Sequence, residues 1–332
     1  MAPLRFGLIA CSSIARRRLL PALQRVAGAK LVRIGSRDPE NAARIAAEFS
    51  AERSGTYQEV LEDPQVDAVY LSTPPGLRLE WVKKAARANK HILCEKPAFM
   101  HANQAREAVD TCRRHQVRLF ENYVFKYHPQ HAQIRSLIES GRIGAPRFFQ
   151  SEFTYPRPPE NDIRLNPDLA GGVFHDSAGY PVAAALMHIR SRPVAISCRQ
   201  GRDASTGVDD NFAATIHFCG GETAQLFVGF GLHYRSRYAI AGALGRIESE
   251  RAFSVLPDKP VTVALETESG LEKLPVEPAD QFQLMIEAFC AGVRGTVVDG
   301  KNFEDDLLRM HFLMDAAAQS HREGRTVDLS DL

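Results

Sequence analysis

The sequence predicts an α/β protein of two domains. A doubly wound parallel sheet is expected over residues 1–122, followed by an α+β domain over 123–332 with an open, largely antiparallel mixed sheet. Three observations lead there. The length, 332 residues, exceeds one ordinary core and suits about two. Residues 4–122 alternate apolar runs with helix-period segments, as βαβ units do. Beyond that point the apolar pattern changes to period two, the mark of half-buried antiparallel strands.

In the first half, Leu4 to Ala10 is a strand, and a helical stretch runs on to about Ala27. Lys30 to Ser36 is a second strand. Pro39 to Phe49 is a helix with proline in its first turn. Asp67 to Ser72 is a third strand, broken by Thr73-Pro74-Pro75-Gly76, and Leu77 to Asn89 is a helix. Then come strand 90–95, helix 101–115 and strand 117–122. In the second half a helix covers His128 to Ser140 and a strand Pro146 to Thr154. Phe212 to Phe218 and Ala224 to Phe230 form a hairpin around Gly220-Gly221. Further strands are expected near 194–200, 237–241, 246–249 and 261–265, and helices at 176–190, 281–293 and 305–321. No linker separates the halves.

Composition excludes several classes. Net charge is +1, so no electrostatic case exists for nucleic acid or an acidic membrane. No run approaches the roughly 20 apolar residues of a membrane span. The first strand starts at Leu4, so a signal peptide is not expected, and a cytoplasmic location is. The six cysteines include no C-x-x-C pair and suggest buried thiols, with no metal site.

The chemistry concentrates at strand ends. Glu95-Lys96-Pro97 closes the run His91-Ile92-Leu93-Cys94. Lysine at the carboxyl end of a parallel strand sits where open α/β sheets bind ligands. Proline after it stops the strand. The ammonium can act on a carbonyl under reduction or a hydroxyl under oxidation. The first turn, Gly7-Leu8-Ile9-Ala10-Cys11-Ser12-Ser13-Ile14-Ala15, occupies the place of a dinucleotide fingerprint, with Ala10 and Ser12 where glycines are expected. Cys11, Ser12, Ser13 and Ile14 are the candidate pyrophosphate contacts at a helix start. The second strand ends Ser36-Arg37-Asp38. Ser36 with Arg37 suits a 2′-phosphate and hence NADP(H), while Asp38 leaves NAD(H) open. Ser72, Thr73 and Pro74 end the third strand and again reach a cofactor crevice. In the second half, Ala170-Gly171-Gly172 leads to Asp176 and Tyr180, four apart and on one face of a helix. His128-Pro129-Gln130-His131 has metal-pair spacing, but a helix start is the better reading. The dyad Tyr-x-x-x-Lys is absent.

Together these pieces resemble the Gfo/Idh/MocA oxidoreductases over nearly the whole chain. Glu95-Lys96-Pro97 matches that family's central motif, and Gly171-Gly172 through Asp176 and Tyr180 its second. Cys11 to Arg18 and Leu20-Pro21-Ala22 are similar to the NDP-hexose 3-ketoreductase branch, and Tyr127 to Gln130 and Asn161 to Leu165 to the wider group of sugar and dihydrodiol dehydrogenases. The resemblance implies a Rossmann domain, hydride transfer between NAD(P) and a sugar carbon, and a homodimer or homotetramer. It implies that Lys96 binds the reacting oxygen, Tyr180 is general acid or base, and Asp176 positions substrate. Tyr123, Lys126 and Arg164 are further implied substrate contacts. Glu95, Lys96, Pro97 and Arg164 join the implied cofactor set, and Lys96-Pro97 is expected to be cis. Arg78, Lys126 and Ala170 depart from the family pattern.

The expected function is an NADP(H)-preferring oxidoreductase of a sugar or nucleotide sugar, acting at a keto/hydroxyl pair at C3. Two alternatives stand beside it: dehydrogenation of a free sugar or cyclic diol, and a cofactor-sensing regulator of the same fold.

Overall fold

A computed structural model describes residues 2–296 and 302–329. In chain order the strands are β1 (Leu4–Ile9), β2 (Ala29–Gly35), β3 (Arg53–Gly55), β4 (Ala68–Leu71), β5 (His91–Cys94), β6 (Leu119–Glu121), β7 (Pro146–Tyr155), β8 (Pro193–Arg202), β9 (Asp209–Phe218), β10 (Thr223–Phe230), β11 (Arg235–Gly242), β12 (Gly245–Ser249), β13 (Val261–Thr267), β14 (Gly270–Val276) and β15 (Val327–Asp328). The α-helices are α1 (Leu20–Leu23), α2 (Pro39–Glu48), α3 (Tyr57–Glu62), α4 (Pro75–Arg87), α5 (Ala102–Arg114), α6 (Pro129–Glu139), α7 (Val173–Asp176), α8 (Gly179–His188), α9 (Gln281–Val293) and α10 (Phe303–Glu323).

The first sheet is parallel throughout, in the order β3-β2-β1-β4-β5-β6. Its order reverses direction beside β1, which places a ligand crevice at the carboxyl ends of β1 and β4. One face is covered by α4 and α5. Small and β-branched residues (Val82, Ala85, Ala105, Ala108, Val109) let those helices approach Ile92 and Leu119 closely, all fully buried. The expected strands are present within a residue or two, and β3 and α3 are additional. The first helix is shorter than expected: a π turn over Ala15–Leu19 leads into α1, which ends at Leu23.

The second sheet has the order β14-β13-β12-β11-β7-β10-β9-β8-β15. Among the described strands of this sheet, β7 with β10 is the one parallel ladder; the others are antiparallel, including the expected β9–β10 hairpin. Inward residues such as Phe212, Ala214 and Ile216 are buried and alternate with more exposed ones. The helix expected over 176–190 is broken. Val173–Asp176 ends at Ser177 (φ −130°), and α8 begins at Gly179.

A single boundary at residue 122 does not describe the partition. One compact unit comprises Met1–Val124 with Asp280–His311, the other Phe125–Ala279 with Phe312–Leu332. The return has a packing cause. Phe289 of α9 is fully buried, with its ring 5.6 Å from Phe6 and 4.8 Å from Phe120. Glu304 of α10 receives Arg118 at 2.8 and 3.0 Å and the backbone N–H of Leu119 at 3.1 Å.

Candidate active site

The first turn takes up the backbone of a dinucleotide loop without its glycines. Ala10 has φ +75°, a left-handed conformation that costs a non-glycine residue about 1 kcal/mol. Two bonds hold it there: its N–H donates to Gly35 O (3.3 Å), and Ser72 Oγ donates to its carbonyl (2.9 Å). Ser12 Oγ accepts from Ala15 N (3.3 Å), and Ser13 is exposed before the helix start. Gly7 is required by packing, since a Cβ there would lie 2.5 Å from Val60 Cγ1. Cys11 is half-buried, and burial pushes its thiol up.

At the end of β2, Ser36 is buried and its Oγ accepts from Asp38 N (3.1 Å). Asp38 caps α2, accepting from Glu40 N (3.0 Å) and Asn41 N (3.4 Å). Its Oδ1 is thereby committed to the helix. Arg37 is exposed and meets the phenol of Tyr57, which burial raises and Arg37 partly offsets. A cation beside a polar strand end fits a phosphate group on a ribose.

The loop carrying Lys96 is anchored from several directions. Lys96-Pro97 is cis. Arg78 is 5% exposed, and its guanidinium donates to Thr73 O (2.7 Å), Glu95 O (2.7 Å) and Pro97 O. Arg78 thus grips the carbonyls on either side of Lys96. The Glu95 carboxylate accepts from Tyr70 Oη (2.6 Å), Asn122 Nδ2 (2.5 Å) and Lys96 N (3.2 Å). Burial, then Glu95, holds the Tyr70 phenol well above its usual range. Beyond the proline, Ala98 N donates to Glu121 Oε1 (2.7 Å). Thr73 is buried and Pro74 exposed at the neighbouring strand end, and Tyr123 is buried just after β6.

In the second unit, Asp176 and Arg164 come together around a residue the sequence reading passed over. Tyr155, at the end of β7, places its Oη 3.0 Å from Ser177 Oγ and 3.4 Å from Asp176 Oδ2. The Arg164 guanidinium lies 5.7 Å from the Tyr155 ring centre. Arg164 also holds Asp162 through two bonds (2.8 and 2.7 Å), which brings that carboxyl down to about 2. Tyr180 is half-buried against Phe153 (5.3 Å), Phe125 (5.7 Å) and Phe253 (5.8 Å). This aromatic wall fixes the ring's plane. Lys126 is half-buried on a 3-10 turn.

His128 and His131 serve the fold. His128 Nδ1 caps α6 by accepting from Gln130 N (3.3 Å). His131 and His188 both lie within hydrogen-bond distance of the buried Tyr238 Oη (2.7 and 2.8 Å). Among the described residues no group of three or more His, Cys, Asp or Glu is arranged to hold a metal, and no helix is long and apolar enough to cross a membrane. The six cysteines are free; Cys11 is only half-buried and Cys219 is exposed, so burial describes four of them.

Family models give the decisive comparison. The model for the oxidoreductase family with an NAD-binding Rossmann fold, GFO/IDH/MocA, matches residues 4–123, and that for the GFO/IDH/MocA C-terminal domain matches 131–248. The chain belongs to the GFO/IDH/MocA oxidoreductase family. One family relative, the dTDP-3,4-didehydro-2,6-dideoxy-alpha-D-glucose 3-reductase of Saccharopolyspora spinosa, is 37% identical over 98% of this chain and 99% of its own. D-xylose 1-dehydrogenase (NADP(+)) 2 of Haloferax volcanii is 29% identical over 98% of this chain and 99% of its own. Among solved structures, a 3-ketoreductase from Actinomadura kijaniata in complex with NADP and TDP-benzene superposes with a TM-score of 0.89 at 33% identity. The match covers 96% of this chain and 98% of that one.

Proposed function

We propose that the protein is an NADP(H)-dependent ketoreductase acting at C3 of a keto sugar carried on a nucleoside diphosphate. The observation that carries this reading is the full-length similarity to the 3-reductase and 3-ketoreductase relatives. Exposed Arg37 beside Ser36 supports NADP(H), as does the commitment of Asp38 to its helix cap. Ala10, Ser12 and Ser13 would hold the pyrophosphate, with Cys11 and Ile14 lining the turn and Ser72, Thr73 and Pro74 beside the nicotinamide ribose. When bound, the nicotinamide supplies the hydride.

Lys96 donates a hydrogen bond to the carbonyl oxygen and stabilises the charge that develops there. Tyr180 delivers the proton to the same oxygen. Asp176 orients substrate hydroxyls. Arg164 and Lys126 meet the phosphates, and Tyr123 borders the sugar. The chain works in the cytoplasm as a homodimer or homotetramer built on the open sheet.

The test is NADPH oxidation with a panel of nucleotide-linked and free keto sugars. Lys96→Ala and Tyr180→Phe should each lower kcat by roughly 100-fold or more. Unchanged turnover in both would sink the assignment. Free-sugar dehydrogenation is the second reading, favoured by the full-length similarity to the xylose dehydrogenase. A thermal-shift series with dTDP separates the two, because a ligand of the native state raises its melting temperature.

A further inference from the structure

Gly172 has φ +101°, and a Cβ on it would lie 2.1 Å from Asp209 Oδ1. The glycine is needed on two counts: this φ strains any side chain, and a carboxylate occupies the space beside it. The passage into this point is closed by backbone bonds: Gly171 N donates to Asn166 O (2.9 Å) and Gly172 N to Arg164 O (2.8 Å). Directly after it, Phe174 N donates to Asp209 Oδ2 at 2.6 Å, and the backbone of Val173 also bonds this carboxylate. Burial pushes the Asp209 carboxyl up, and these backbone donors oppose the shift.

Asp209 is the first residue of β9, which is laddered on both sides, to β8 and to β10. Its carboxylate therefore projects from a rigid element toward a short one. The four-residue α7 cannot hold its own pose by internal bonding. Besides Asp209, the Phe174 ring packs 5.9 Å from Phe212, which is also on β9. Asp176 stands at the end of α7, and Tyr180 follows the break at Ser177.

We infer that Asp209 is a positioning residue: by binding the first turn of α7 it sets where Asp176 and Tyr180 stand for the reaction. The consequence for turnover rests on the proposed function; the holding of the segment does not. Asp209→Asn keeps an acceptor oxygen of the same reach, whereas Asp209→Ala leaves the two backbone donors without one.

The experiment uses the full chain in both variants. Amide hydrogen exchange over residues 172–180 should quicken by about tenfold or more in Asp209→Ala and stay near wild type in Asp209→Asn. With NADPH and a nucleotide-linked keto sugar, Asp209→Ala should lower kcat by roughly 10- to 100-fold with KM for NADPH unchanged, and Asp209→Asn should restore most of it. Gly172→Ala should do less harm in the Asp209→Ala background than in wild type. Unchanged exchange in Asp209→Ala overturns the inference. So does quickened exchange with unaltered kcat, or additive behaviour of the two substitutions. If wild type turns over no keto sugar, the proposed function falls, and the exchange arm still decides whether Asp209 holds the segment.

Discussion

Arg78, one of the departures from the family pattern, has a structural role. Its side chain turns inward to bind three backbone carbonyls, that of Thr73 and the two that flank Lys96, Glu95 and Pro97. Lysine at this place would keep the charge but not the planar fork. Arg78→Lys should therefore cost about 2–4 kcal/mol in urea unfolding and lower kcat more than KM, since the loop carrying Lys96 is released. The place of Lys96, just past the end of β5, was legible because strand-end and proline rules act locally. Arg78 and Tyr155 were not, because their roles arise from contacts made after the chain folds. A pH effect belongs to His128. Burial brings its pKa down to about 4, and the cap it provides requires the neutral ring. The folded value lies below the unfolded one, so this stabilisation is complete above about pH 6.5 and is lost as pH falls toward 4. Thermal unfolding between those pH values should show a loss of up to about 3 kcal/mol, removed in His128→Asn.

At the scale of elements, the long periodic segments were recognisable and the short ones were not. β3 is three residues, Arg53-Ser54-Gly55, with no apolar side chain to mark it. α3 did carry a signal: Thr56 and Glu59 form a capping box, with Thr56 N donating to Glu59 Oε2 (2.6 Å) and Glu59 N to Thr56 Oγ1 (3.3 Å). β14 escaped notice because most of its residues are exposed and it contains Pro275. The return of α9 to the first unit was invisible because residue 280 is far in sequence from the strands it covers. Phe289→Ala tests that return. Removing a fully buried ring between Phe6 and Phe120 should cost about 3–5 kcal/mol. The loss should appear in the unfolding of the unit that binds cofactor, read as a lower melting temperature in the presence of NADPH.

For the whole molecule, fold class was the most legible property, since alternation of strand and helix in one half and period two in the other are global patterns. The partition was the least legible, because the chain leaves the first unit and re-enters it. The assembly state is checked by sedimentation velocity, where a dimer or tetramer of 36.8 kDa chains is expected. The position of β7 has a consequence for how the protein is made. β7 lies inside the second sheet between β11 and β10, yet both neighbours come later in the chain. While the ribosome adds the roughly 90 residues up to the end of β11, the β11 edge of β7 waits without its partner, and the β10 edge waits for all but about the last dozen of them. At about 5–20 residues per second that interval lasts roughly 5–20 s. Through it the nascent chain presents a ten-residue strand with at least one open hydrogen-bonding edge, the kind of surface that holdase chaperones recognise and that neighbouring polysomes can cross-pair.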